Sequence, residues 1–235
     1  MVPTDDSFRA LARSSPWRWS TLHLRRRHAD GSDVEAWIRR PDWMLVRTDR
    51  GEYVQRAGAR TVAILTASTD GGGSARTEVL PWGGSLTPTY RSDGLVAARP
   101  EGRVDYDDPM HQNYEWVAML DPVELTAGVE LADLRAEVRA GRETWWARAR
   151  AVDGYDPRCS CCPLLWSPVS DELEYGEDGS PYSTDYPSGY DVALDVGTGV
   201  VVALRADGGR AGLGFEVDVL DVDADLAELV AAHPR

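Results

Sequence analysis

The stretch Tyr190-Asp-Val-Ala-Leu-Asp-Val-Gly-Thr-Gly-Val-Val-Val-Ala-Leu204 alternates apolar and polar positions, turns at Gly197-Thr198-Gly199 and alternates again. Successive side chains of an extended chain point to opposite faces. Tyr190, Val192, Leu194 and Val196 therefore share one face, and Asp191, Ala193 and Asp195 the other, as a half-buried antiparallel strand requires. A β-hairpin is predicted here, and with it a mainly antiparallel fold.

Working outward, the same texture recurs on both sides. Asp5 to Arg13 reads as a short helix presenting Phe8, Leu11 and Ala12. Strands are predicted from Trp17 to Leu24, Val34 to Ile38, Trp43 to Thr48, Glu52 to Arg56 and Arg60 to Thr66, with turns at Ala29-Asp-Gly-Ser32, Pro41-Asp42, Asp49-Arg-Gly51 and Gly58. Five strands at this spacing form a meander of the kind found in sandwiches and barrels. Gly71-Gly-Gly-Ser74 reads as a flexible loop. The period then changes. Asp108 and Pro109 have the order of an N-cap and first helical residue, and Met110, Tyr114, Val117 and Ala118 recur at helical spacing, predicting a central helix over about 108–121 that stops at Asp121-Pro122. Leu131 to Val138 and Glu143 to Ala151 flank an Ala140-Gly141-Arg142 turn, and Gly214 to Leu220 follows the opening hairpin to complete a second β block. Ser167 to Gly189, acidic and rich in Pro, Ser, Gly and Tyr, reads as a long surface loop. Asp223 is placed to cap a final helix within 223–235 carrying Leu226, Leu229 and Val230.

Composition narrows the functions available. A chain of 235 residues with 43% hydrophobic content can bury most of its apolar surface around one core, so a single domain over 1–235 is expected. The formal net charge of −14 repels phosphate backbones and anionic lipid surfaces, which argues against nucleic-acid and electrostatic membrane binding. Every basic residue apart from the four histidines is Arg, because Lys is absent. Schiff-base lysines, P-loop lysines and lysine bases are excluded together. Nine Trp and nine Tyr against two Phe favour amphipathic aromatics, which suit sheets, interfaces and ligand grooves alike. The first residues lack a basic leader with an apolar stretch, and no run approaches a membrane span, so a cytoplasmic protein is expected.

An N-terminal helix, a meander opening with Trp17-Arg-Trp-Ser-Thr, a central helix ending at Asp121-Pro122 and a second meander together resemble the LolA-like superfamily of half-open β-barrels. The likeness is carried by Val34-Glu-Ala-Trp-Ile-Arg-Arg-Pro-Asp42, Gly141-Arg-Glu-Thr-Trp-Trp146 and the Tyr190 to Leu204 hairpin, and spans most of 15–222. The resemblance implies an α+β fold in which a curved antiparallel sheet, a half-open barrel over 15–222, wraps a central helix between short terminal helices. It also implies a carrier or sensor and no enzyme, holding an apolar or lipid-like small molecule or a protein segment in its concave face. Well-known members work outside the cytoplasm, so the expected location departs from theirs. The step from fold to ligand is an analogy.

Within that frame, Met110, Tyr114, Trp116, Val117 and Met119 are the candidate ligand-binding residues, since thioethers and amphipathic aromatics line adaptable pockets. Helical spacing of apolar residues is equally a packing signal. The other local oddity is Tyr155-Asp-Pro-Arg-Cys-Ser-Cys-Cys-Pro163. Thiolates of Cys159 and Cys161 or Cys162 could hold a soft metal, with His111 or His23 completing a tetrahedral site, although zinc ligands normally come as two separated pairs. The Arg158 guanidinium could instead lower a thiol pKa, and with either chemistry the chain would be a regulatory or interaction module with a metal- or redox-responsive cysteine loop. A structural strand-to-loop junction is the plainer reading. Asp221, Asp223 and Asp225 lack the glycine and closing glutamate of a calcium loop and read as strand exterior plus cap. Glu172, Glu174, Glu177 and Asp178 read as a solvated loop. His23, His28, His111 and His233 are scattered and no serine stands in a nucleophile-elbow context, which leaves a hydrolase with dispersed catalytic residues as the remaining alternative. Gly71 to Gly73 lacks the lysine and strand-to-helix setting of a phosphate loop. No resident metal and no cofactor are expected.

Overall fold

The computed structural model describes residues 2–67, 73–176 and 184–234, with the side chains of 65–67 left undescribed. Helix α1 (Asp5–Ser14) opens on Thr4, whose hydroxyl accepts from the Ser7 N–H while the Ser7 side chain accepts from the Thr4 N–H. A 3-10 turn over Ser15–Trp17 follows. The expected first strand therefore starts later than the alternation suggests, because Pro16 suits a helical turn and the Trp17 indole N–H donates to the Leu86 carbonyl at 2.7 Å instead of entering a ladder.

Strands β1 (Thr21–His28), β2 (Asp33–Arg39), β3 (Trp43–Thr48) and β4 (Gly51–Arg56) form the first meander. Strand β5 (Thr61–Ala67) does not extend it. It pairs with β6 (Gly73–Val79) as a separate hairpin, and β7 (Thr89–Tyr90) with β8 (Val96–Ala98) makes a second small ladder. Of the predicted glycine loop, Gly71 and Gly72 lie outside the described residues and Gly73-Ser74 open β6. The second block holds β9 (Val129–Arg139), β10 (Arg142–Ala151), β11 (Tyr190–Asp195), β12 (Val201–Ala206) and β13 (Gly214–Val222). Its last strand pairs with β1, so the two meanders fuse into one open nine-stranded antiparallel sheet ordered β4-β3-β2-β1-β13-β12-β11-β10-β9. The turn between β9 and β10 places Ala140 at φ 49° and Gly141 at φ 79°, two left-handed residues in a row as a twisted hairpin prefers.

The covered face explains the burial pattern. Phe8 and Leu11 of α1, Leu22, Leu24 and Ile38 of the sheet, and Val192 and Leu194 of β11 share the main core. Strand β3 is buried on both faces: Met44 and Val46 join that core, while Trp43 and Leu45 pack under helix α4 (Ala227–Ala232) through Leu226 and Val230. Strand β11 departs from the predicted half-buried alternation for a comparable reason. Ala193 stands opposite Trp146, and Arg135 and Arg205 place their guanidiniums 4.9 and 4.7 Å from that indole, closing the outer face over it. Asp195 is buried by a two-pronged ion pair with Arg142 at 2.6 and 2.9 Å and by the Thr198 N–H and hydroxyl, each at 2.8 Å.

Three other expectations are corrected. The central helix α2 covers Glu115–Leu120 alone, because the Asp108 carboxylate meant to cap it is taken by Arg40. Asp223, at φ 58°, caps no helix. Its carboxylate accepts from the Ser20 N–H at 2.7 Å and the Ser20 hydroxyl at 2.9 Å, tying β1 to the end of β13, and α4 starts four residues later. Ser167 to Gly189 begins as helix α3 (Pro168–Tyr175), with proline in its first turn and a reciprocal cap between Ser167 and Ser170. Glu172 and Glu174 thus lie on a helix, and Glu177 and Asp178 lie outside the described residues. No helix among the described residues is long and apolar enough to cross a membrane.

Candidate functional site

The covering layer over the sheet is held by a network of buried ion pairs. Arg40 donates to both Asp108 oxygens at 2.6 and 2.7 Å, to the Ser15 carbonyl at 2.5 Å and to the Leu120 carbonyl at 3.3 Å, and its guanidinium lies 3.4 Å from the centre of the Trp19 ring. One cation therefore ties the end of α1, the turn after β2 and the end of α2. Asp121 accepts from Arg99 at 2.9 Å and also from Arg158. Burial alone would raise the Asp121 carboxyl, but Arg99 and Arg158 outweigh it and hold it below its ordinary value. Arg158 reaches Asp107 at 3.0 Å, and Arg60 joins Asp107 and the Tyr114 hydroxyl, the latter at 3.0 Å.

These cations frame the predicted ligand residues. Met110, Tyr114 and Val117 line a small recess of about 90 Å³ with Arg60 and Asp107. Trp116, Val117 and Met119 are buried. Trp116 has the Arg26 guanidinium 4.9 Å from its ring centre and meets His111 edge-on at 5.5 Å, so its faces are occupied by this chain. The recess is polar and of a size for a few waters.

A larger opening lies at the far end of β10 and β11. Val152, Trp166, Val169, Tyr186, Pro187 and Tyr190 line a groove of about 580 Å³. The Trp166 and Tyr186 rings are 4.5 Å apart, and Asp171 fixes both, accepting from the indole N–H at 2.9 Å and the Tyr186 hydroxyl at 2.7 Å. The Tyr190 hydroxyl donates to the Trp166 carbonyl at 2.8 Å. Burial pushes the Tyr186 phenol up to about 12, with the Asp171 bond adding to it, and raises Tyr190 further. Both phenols stay protonated and donate. Sequence reasoning misses this groove because its aromatics come from segments without a period. The available signal was the Ser167-Pro-Val-Ser170 cap, which announces an ordered helix where composition suggests loop.

The cysteine turn lies on the segment that leads from β10 to α3. Glu124 is buried and accepts from the Tyr155 hydroxyl at 2.6 Å, the Leu164 N–H at 2.8 Å and the Arg158 N–H at 3.1 Å. One carboxylate thus closes the chain on itself across residues 158–164. Burial raises the Glu124 carboxyl, and those three donors pull it back only in part. Within the closed turn the sulfurs of Cys159 and Cys161 are 2.8 Å apart, those of Cys161 and Cys162 3.8 Å, and all three lie within 4.8 Å of one another. Partial burial pushes Cys159 up, but hydrogen bonds from Cys161 and Cys162 outweigh it and bring this thiol below its usual value. Burial and the neighbouring Cys159 push Cys162 up to about 12. The Arg158 guanidinium, expected to activate a thiol, is turned inward onto Asp107 and Asp121. His23, expected as a further ligand, bonds Glu35 at 2.9 Å and stacks on Trp37.

Comparison with known proteins adds little. No protein-family model matches the chain, and no curated protein matches it. A search of solved structures finds the crystal structure of MucB, at 15% identity and a TM-score of 0.33, covering 92% of this chain and 58% of that one. The chain thus spans less than two thirds of the length of that chain, and a superposition this loose carries no argument. The fold and sites define the class: a mainly antiparallel α+β protein built on one large open sheet with helices and loops over it.

Proposed function

We propose that this chain is a non-catalytic binding protein, its open sheet curved into a LolA-like half-barrel, with a neutral apolar small molecule as its ligand. The observation that carries the reading is the groove lined by Val152, Val169, Pro187 and the contacting Trp166–Tyr186 pair, with Arg210 over the Trp166 ring. Its volume of about 580 Å³ falls within the ~300–1,000 Å³ typical of small-molecule sites, and fixed aromatic walls with a few oriented polar groups are what such sites use. The net charge of −14 disfavours an anionic headgroup. In this reading Met110, Tyr114 and Val117 form a second, smaller contact beside α2, backed by Trp116 and Met119.

The test is titration with an apolar fluorescent dye, followed by competition with a panel of neutral apolar compounds and a thermal shift for each competitor. Dye binding that Trp166→Ala weakens tenfold or more, while Tyr114→Ala changes it less, supports the groove. Equal dye affinity in wild type, Trp166→Ala and Tyr186→Ala removes the groove from the reading. A bound peptide displaced by no small molecule replaces the proposed ligand by a protein segment.

A further inference from the structure

We propose that Cys159, Cys161 and Cys162 form a binding site for a thiophilic divalent cation of the zinc class, held by three sulfurs with a fourth position open beside Glu174. The site uses none of the groove residues and stands or falls independently of the ligand reading.

Three observations converge on it. Among the described residues, these cysteines are the one group of three potential metal ligands whose donor atoms meet. Two sulfurs bound at ~2.3 Å to one tetrahedral ion stand about 3.8 Å apart. Cys161 and Cys162 are already 3.8 Å apart, and Cys159 and Cys161, at 2.8 Å, would open by about 1 Å around an ion. The turn carrying them is also fixed from beneath. Glu124 binds the Arg158 N–H on one side and the Leu164 N–H on the other, and Arg158 is anchored to Asp107 and Asp121, so the three sulfurs are gathered before any ion arrives. This preorganisation replaces the two separated ligand pairs of most zinc sites.

The chemistry of the donors selects the ion. Thiolates prefer zinc-class cations to calcium or magnesium. On binding, the three thiols give up their protons to solvent, and a protein of net charge −14 attracts a dication and repels anions. Ser160 donates its hydroxyl to Glu174, which brings a carboxylate to the rim of the turn. Either that carboxylate or a water completes four ligands. Cys161 is exposed, so the position is open to exchange from solvent.

The test uses the whole chain with its thiols reduced and verified by titration. Cobalt(II) is added first, then zinc. The expected result is one equivalent of cobalt giving sulfur-to-cobalt charge-transfer and visible bands, cleared by one equivalent of zinc. Cys161→Ser, at an exposed position, should keep the fold and weaken zinc by more than the roughly 10–100-fold typical of an outer-shell change. Glu124→Gln should weaken it within that range while leaving the cobalt spectrum that of three thiolates. Absence of charge-transfer bands in the fully reduced protein overturns the proposal. So does zinc binding that survives in the Cys159→Ser/Cys161→Ser/Cys162→Ser variant with near-UV dichroism unchanged. A Cys159 to Cys161 disulfide that re-forms in air at the same rate with and without equimolar zinc also overturns it, and makes the turn a redox pair.

Discussion

Replacing Asp108 by alanine should be among the most damaging single changes in this protein, although Asp108 belongs to no helix or strand. Both members of the Arg40–Asp108 pair have side chains 1% exposed. Removing the carboxylate leaves a buried guanidinium with only the Ser15 and Leu120 acceptors, of which the Ser15 carbonyl at 2.5 Å is the one short bond. Breaking a buried pair from one side costs about 3–5 kcal/mol. For a chain of this size 1 kcal/mol corresponds to roughly 2–4 °C in Tm, so the melting temperature should fall by roughly 6–20 °C. Urea unfolding read by the summed fluorescence of the nine tryptophans gives the free energy directly. The double variant Arg40→Met/Asp108→Leu separates desolvated charge from lost shape. It should recover most of the loss, since apolar replacements of buried pairs are often neutral or better. An Asp108→Ala protein within about 1 kcal/mol of wild type, with unchanged denaturant dependence, would refute the idea that this pair ties the covering layer to the sheet.

Two further outcomes are expected. Because Asp121 titrates below its unfolded value, its contribution to stability is complete above the ordinary aspartate range, near pH 4, and is lost as pH falls through the lower folded value; Asp121→Asn should destabilise at pH 7 and flatten the fall in urea midpoint between pH 5 and 2. Gly141→Ala meets no neighbouring atom but forces a side chain to φ 79°, so it should cost about 1–2 kcal/mol through backbone strain alone, measured by thermal unfolding, whereas a loss below a few tenths would mean that the turn rearranges.

The strands were legible because alternation is local. Val34 to Ile38, Trp43 to Thr48 and Tyr190 to Leu204 each carry their own pattern, and the structure places β2, β3, β11 and β12 there. Which strands pair was not local. Nothing within Arg60 to Thr66 says that it leaves the meander for β6, and the joining of the halves through β1 and β13 relates residues about 200 positions apart, such as Leu22 and Val222. Polar signals failed where a distant partner competed. Asp108 has the sequence of a cap, yet Arg40 offers a charged, two-pronged partner, and such bonds are about twice as strong as the neutral backbone bond of a cap. Asp223 lost its expected helix to the Ser20 N–H and hydroxyl in the same way.

The candidate sites divide along the same line. Crowding of Cys159, Cys161 and Cys162 is visible in the sequence, and so is the absence of a second ligand pair that a conventional zinc site would bring. What cannot be read is Glu124, which lies 34 and 40 residues from the N–H groups it accepts. That carboxylate changes the meaning of the cysteine loop. A free turn would lose conformational freedom on gathering three sulfurs around an ion, and ordering even a few residues costs about 1–2 kcal/mol apiece. A turn closed by a buried carboxylate has undergone that ordering during folding, before any ion binds. A buried acceptor with three donors tolerates loss of none of them cheaply, so a change at Tyr155 or Glu124, which are hydrogen-bonded to one another and to the backbone of 158–165, should reach the cysteines through geometry.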